Sequence, residues 1–165
     1  MIMICGSFSN ARAAEEYAVK AAFVFNFIKF TTWPENHFKD GEAQIRLCYR
    51  TNTKLEKHFK ALNGKKIGTK IIRTNAFEAN HCCKSCDILF IDRSFEPLFI
   101  RNLIDKTDNR SVLIIGETDN FISQGGIINF LSKNDKLQFE ISPKTAKERN
   151  IKLSSRLLKL AVISE

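Results

Sequence analysis

Prolines are scarce in this 165-residue chain, with three in all, and neither a repeat nor a low-complexity run is present. Nothing therefore marks an interdomain linker, and the length suits one domain with a core of its own. Tryptophan and tyrosine are rare too, one and two against fourteen phenylalanines, so most of the aromatic area is expected inside. Long apolar runs are missing. The longest, Tyr17 to Phe30, is broken by Lys20, Asn26 and Lys29, whereas a membrane helix needs about 20 predominantly apolar residues. Catalytic signatures are missing as well: no G-x-S-x-G elbow, no Walker loop and no G-x-G-x-x-G after a strand. His37, His58 and His81 lie in polar surroundings, none paired with a nucleophile at a recognisable spacing. The chain is not expected to be an enzyme or to carry a cofactor.

What is present is a globular composition, 44% apolar and 27% charged, with a net charge of +8. The first residues read as the tail of an export signal. Met1 to Ile4 is apolar, and Ala11-Arg12-Ala13 offers small residues at a cleavage spacing. That apolar part is shorter than the roughly 7–15 residues of a full signal. Residues 1–13 are thus expected to be a truncated signal whose true start lies upstream, and residues 14–165 the domain. A frayed cytosolic N-terminus is the competing reading. Cleavage after Ala13 would leave Cys48, Cys82, Cys83 and Cys86, an even number in an exported chain, with three connectivities open.

Along the domain, Glu15 to Thr31 reads as a helix that is apolar nearly all round, stopped by Trp33-Pro34. A strand follows at Ile45 to Tyr49, then a basic helix over 53–62 and a strand over 66–74. The runs DILFID (87–92) and SVLIIG (111–116) have the unbroken apolar character of strands buried on both faces. A helix over 96–106 separates them. Two antiparallel strands over 127–132 and 136–141 follow Gly125-Gly126. Ser142-Pro143 opens a helix as cap and first helical residue, and a last helix runs from Ser154-Ser155 to the end. Strands alternating with helices, closed by a hairpin, give an α/β fold: a single-domain sandwich with a central mixed β-sheet flanked by helices.

Two features carry chemical potential. His81-Cys82-Cys83-Lys84-Ser85-Cys86 contains a C-x-x-C, which can be a disulfide, a redox pair or half of a metal site. No second ligand pair exists elsewhere, so a disulfide is favoured over metal or thiol exchange. Asp92 and Glu117 end the two buried strands, where α/β folds place functional groups, although a solvated strand end is the simpler reading. Charge is the other feature. Nine basic residues and one acid fall between Arg46 and Arg73, and Lys54, Lys57 and Lys60 recur at helical spacing. No stacking aromatics interleave with them, so nucleic acid is not the expected partner.

Several segments in order resemble the YfiR family of bacterial periplasmic proteins, the DUF4154 domain. They are Lys20 to Phe30 closed by Trp33-Pro34, Ile45 to Cys48, Cys86 to Ile91, and Val112 to Gly116. Further on come Phe121 with Gly125 to Ile128, Phe139 to Ile141, and Leu153-Ser154-Ser155 through Leu160-Ala161. The resemblance implies a periplasmic negative regulator that binds the periplasmic sensor part of an inner-membrane diguanylate cyclase. It would thereby control cyclic di-GMP and biofilm formation in response to redox or envelope stress, and an outer-membrane lipoprotein could sequester it. It also implies a disulfide between Cys48 and Cys86. The chain departs from the pattern at Asp87, where a histidine is usual, in lacking a second disulfide, and in the added Cys82 and Cys83.

Partner binding is expected at the apolar C-terminal segment through Ile151, Leu153, Leu157 and Ile163, with Lys54, Lys57 and Lys60 steering encounter. Leu160 and Ala161 are expected to pack inward. A homodimer is left open. The alternatives are a small-ligand sensor with a crevice near Asp92, Gly116 and Glu117, and a thiol or metal protein built on His81, Cys82, Cys83 and Cys86.

Overall fold

Two four-residue runs with no polar side chain set the centre of the molecule. The computed structural model describes residues 7–38, 43–78, 85–108, 110–133 and 136–164, with side chains from Glu15 onward. In it β5 (Ile88–Ile91) and β6 (Leu113–Gly116) are buried along their whole length. Such strands can exist only with neighbours on both edges and cover on both faces. β5 and β6 pair with each other, β2 (Gln44–Arg50) flanks β5, β7 (Ile128–Lys133) flanks β6, and β4 (Lys70–Phe77) lies beyond β2. The five run parallel in the spatial order β4-β2-β5-β6-β7. Counted along the chain this is the 2-1-3-4-5 order of doubly wound α/β sheets.

Antiparallel additions finish both edges. β3 (Lys66–Ile67) folds back on β4 through Gly68, whose φ of 58° suits glycine. On the far side β8 (Lys136–Ile141) pairs with β7, and β10 (Val162–Ile163) joins β8 in parallel. A separate clasp pairs β1 (Thr31–Thr32) with β9 (Lys152–Leu153). The expected single strand over 66–74 is therefore a hairpin.

The helices divide between the faces. Helix α1 (Ser7–Lys29) starts before the expected Glu15 and lies on the face that also carries α2 (Glu56–Lys60). Its Ala21, Val24, Phe27 and Ile28, at helical spacing, share one core with Leu47, Phe90, Ile115 and Phe130 of the sheet. Phe27 is wholly buried, its ring centroid 4.9 Å from that of Phe139; burying such a side chain contributes roughly 1.5–3 kcal/mol. Helix α3 (Pro97–Asp105) covers the opposite face with Ile100, Leu103 and Ile104, against Cys48, Leu89, Ile91 and Ile114. Helix α4 (Pro143–Glu148) begins as expected: Ser142 Oγ accepts a hydrogen bond from Thr145 N at 3.2 Å.

The C-terminal helix is not formed as expected. Helix α5 (Ser155–Leu158) lasts one turn, and the chain then extends into β10. Val162 and Ile163 are β-branched, and the open edge of β8 supplies a ladder that a short terminal helix could not match.

Candidate functional site

The parallel order brings β2 beside β5, which places Cys48 opposite Leu89 and brings it within reach of Cys86, two residues before β5 begins. The two cysteines form a disulfide with a Cα–Cα separation of 5.9 Å. Both are buried, on the α3 face of the sheet.

Asp87 stands next to this bond and organises its surroundings. Its Oδ1 lies 2.8 Å from His37 Nε2, and its Oδ2 accepts from Arg46 N at 2.7 Å and Arg46 Nε at 3.2 Å. Burial pushes the Asp87 carboxyl up, but the hydrogen bonds from His37 and Arg46 and the charge of Arg46 outweigh it and hold it below the usual carboxylate range. Asp87 thus holds an anion that ties the 33–38 segment to β2 at the start of β5. His81, Cys82 and Cys83 fall outside the described residues. Among the described residues no group of three or more His, Cys, Asp or Glu is placed to hold a metal.

The basic stretch is split by the sheet. Strand alternation sends Arg46 and Arg50 to the face of Cys48, while α2 lies against the opposite face. Arg50 donates to Ser94 O and Ser94 Oγ and lies over the Phe95 ring. Lys60 pairs with Glu56, Lys65 lies over Phe25 and Lys70 over Phe38. Lys54, Lys57 and Lys60 are exposed together around α2. They form a smaller cationic face than the sequence count suggests.

At the C-terminus the expected apolar set divides differently. Ile151 and Leu157 are core residues, 3% exposed each, and Leu153 packs at the core margin in β9. Leu160, expected inside, is 74% exposed, and Val162 and Ile163 are about half exposed. The change follows from α5 ending after one turn, which redirects every later side chain. The exposed apolar ridge is Leu160, Val162 and Ile163. Lys152, Arg156 and Lys159 are exposed in the same segment.

The strand-end residues are engaged. Asp92 accepts from Ser94 N at 2.7 Å and from Ser94 Oγ. Gly116 lies under the Phe121 ring so closely that an added Cβ would stand 2.5 Å from Cζ. Glu117 Oε2 meets the buried Lys20 Nζ at 2.7 Å, and Glu16 Oε1 takes the same ammonium at 2.6 Å. Lys20 interrupts an apolar helix, and that interruption was the one signal in the sequence that a buried counter-charge must exist. Beside Glu117 a cleft of about 570 Å³ opens at the carboxyl ends of β5, β6 and β7.

Among solved structures, a conserved domain protein from Vibrio cholerae O1 biovar El Tor matches with a TM-score of 0.56 at 8% identity, over 90% of this chain and 60% of that one. The ABC domain of a Streptococcus pneumonia protein, determined with L-Trp, matches with a TM-score of 0.50 at 10% identity, over 78% of this chain and 58% of that one. The chain thus spans about 60% of the length of these proteins, and at such identities the likeness is one of fold. No curated protein sequence matches. The YfiR/HmsC-like DUF4154 family model matches residues 17–162, from the apolar face of α1 to the start of β10, and the chain belongs to that family.

Proposed function

We propose that this protein is a periplasmic negative regulator that binds the periplasmic sensor part of an inner-membrane diguanylate cyclase and so lowers cyclic di-GMP and biofilm formation. The observation that carries the reading is the family match over residues 17–162; the family suggests a periplasmic regulator of cyclic di-GMP signalling rather than a catalyst. Two features of the chain support it. The Cys48–Cys86 disulfide suits an oxidising compartment, and export through the signal read in residues 1–13 would deliver the chain there. The ridge of Leu160, Val162 and Ile163, with cations beside it, is the combination that anchors a partner through apolar contact and attracts it through charge. Among the described residues no helix is long and apolar enough to cross a membrane. An outer-membrane lipoprotein that competes for the same ridge would release the cyclase.

Deletion and complementation test the reading. Loss of the gene should raise cellular cyclic di-GMP, and the tagged, exported protein should recover a diguanylate cyclase from solubilised membranes. Unchanged cyclic di-GMP, with no cyclase recovered, would remove the proposal.

A further inference from the structure

The cleft beside Glu117 lies where open α/β sheets receive ligands, outside the carboxyl ends of parallel strands. Its volume of about 570 Å³ is that of a small-molecule site. Asn129 of β7, 1% exposed, lines it. Its Nδ2 donates to Thr118 O at 3.0 Å and to Glu140 Oε1 at 2.9 Å. Those two bonds fix the amide, because the flipped form would set its oxygen against two acceptors. Asn129 Oδ1 is then left buried without a partner, and so is Thr118 Oγ1 in the turn after β6. Buried polar atoms left unpaired are rare and costly, and here two of them belong to residues that line one cleft.

The chemistry of the missing partner follows from what surrounds it. An amide oxygen can only accept, so the partner must donate. Asp119 stands exposed at the same cleft, while the Glu117 carboxylate is already paired with Lys20. Arg93 also lines the cleft, held by its Nε, which donates to Glu117 O at 3.0 Å. Phe95 and Pro97 supply an apolar wall. We propose that this cleft binds a small organic ammonium compound. Its N–H groups would hydrogen-bond Asn129 Oδ1 and Thr118 Oγ1, Asp119 would balance its charge, and its apolar arm would lie along Phe95 and Pro97. The inference stands whether or not the partner is a cyclase.

Phenethylamine is a suitable probe, with 3-phenylpropionate as the anion of similar shape. In ¹⁵N-labelled full-length protein, phenethylamine at millimolar concentration should shift the Asn129 side-chain amide and the Thr118 and Asp119 backbone signals. The propionate should leave them in place. Thr118→Val and Asp119→Asn should each weaken phenethylamine by about tenfold, the effect of one lost charge-assisted bond, with the melting temperature retained. No shift by phenethylamine, an equal response to both probes, or unchanged affinity in folded variants would overturn the assignment. So would a crystal structure grown with the amine in which a water alone bridges the two atoms.

Discussion

Lys20 of α1 and Glu117 at the end of β6 are 97 residues apart in sequence, yet their charged atoms meet in the interior at 2.7 Å. Lys20 is 2% exposed and Glu117 7%. The pair fixes where α1 lies along the sheet, and with it the side of the molecule on which Phe27 and its neighbours are buried.

Removing one member of a buried ion pair leaves the other charge uncompensated, at a cost of about 3–5 kcal/mol. Lys20→Met should show a loss of that order in urea unfolding. The double variant Lys20→Met/Glu117→Leu should recover much of it, because two apolar groups then replace two charges. A double variant as unstable as the sum of the singles would show that the two groups are not coupled.

The Cys48–Cys86 bond closes a loop with a sequence separation of 38, for which chain entropy gives about 4 kcal/mol of stabilisation. Cys48→Ala/Cys86→Ala should lower the urea midpoint accordingly, and reductant should do the same to the natural protein while leaving the variant unmoved. Peptide mapping without reduction should join the peptides that hold Cys48 and Cys86. A map that links Cys83 to Cys86 instead would contradict the bond.

Asp87 contributes stability of a definite sign. Its folded-state pKa lies below the ordinary value, so its stabilisation is complete above the unfolded pKa near 4 and is lost as pH falls through the folded value. Asp87→Asn should be less stable than the natural protein at pH 7, with the gap closing in strongly acidic buffer. Parallel curves over pH 2–7 would show that the carboxylate is not responsible.

Core and ridge should respond differently to the same change. Leu157→Ala removes a buried side chain and should cost about 2–5 kcal/mol of stability. Leu160→Ser and Ile163→Ser should leave stability nearly unchanged and shorten the lifetime of the complex with the captured cyclase. The Lys54/Lys57/Lys60→Glu triple should slow association in a salt-dependent way. If the ridge variants bind and dissociate like the natural protein, docking occurs elsewhere.

Where residues are buried on both faces, sequence was a sufficient guide. DILFID and SVLIIG have one physical solution, an internal strand, and Ser142-Pro143 has one, a helix start. Short terminal pieces were not readable in the same way. Leu157, Leu158 and Leu160 suit one helical turn as well as several, and only the free edge of β8 decides that Val162 and Ile163 extend. The hairpin at Gly68 was hidden because Lys66 to Thr74 alternates plausibly as one strand. The candidate site was legible for the disulfide, through family resemblance. Contacts of Asp87 with His37 and of Asn129 with Thr118 depend on which strands lie side by side, and no local pattern encodes that.

The β1–β9 clasp bears on how the molecule is made. Thr32 pairs with Lys152, and Ser154 N donates to Phe30 O, so the end of α1 is secured only by a segment far along the chain. Contacts between such distant segments are slow to form. While the chain is emerging, the phenylalanines of α1 have no lasting cover. Until the clasp closes, that apolar helix face is open to contact with other chains, the kind of exposed surface that aggregates.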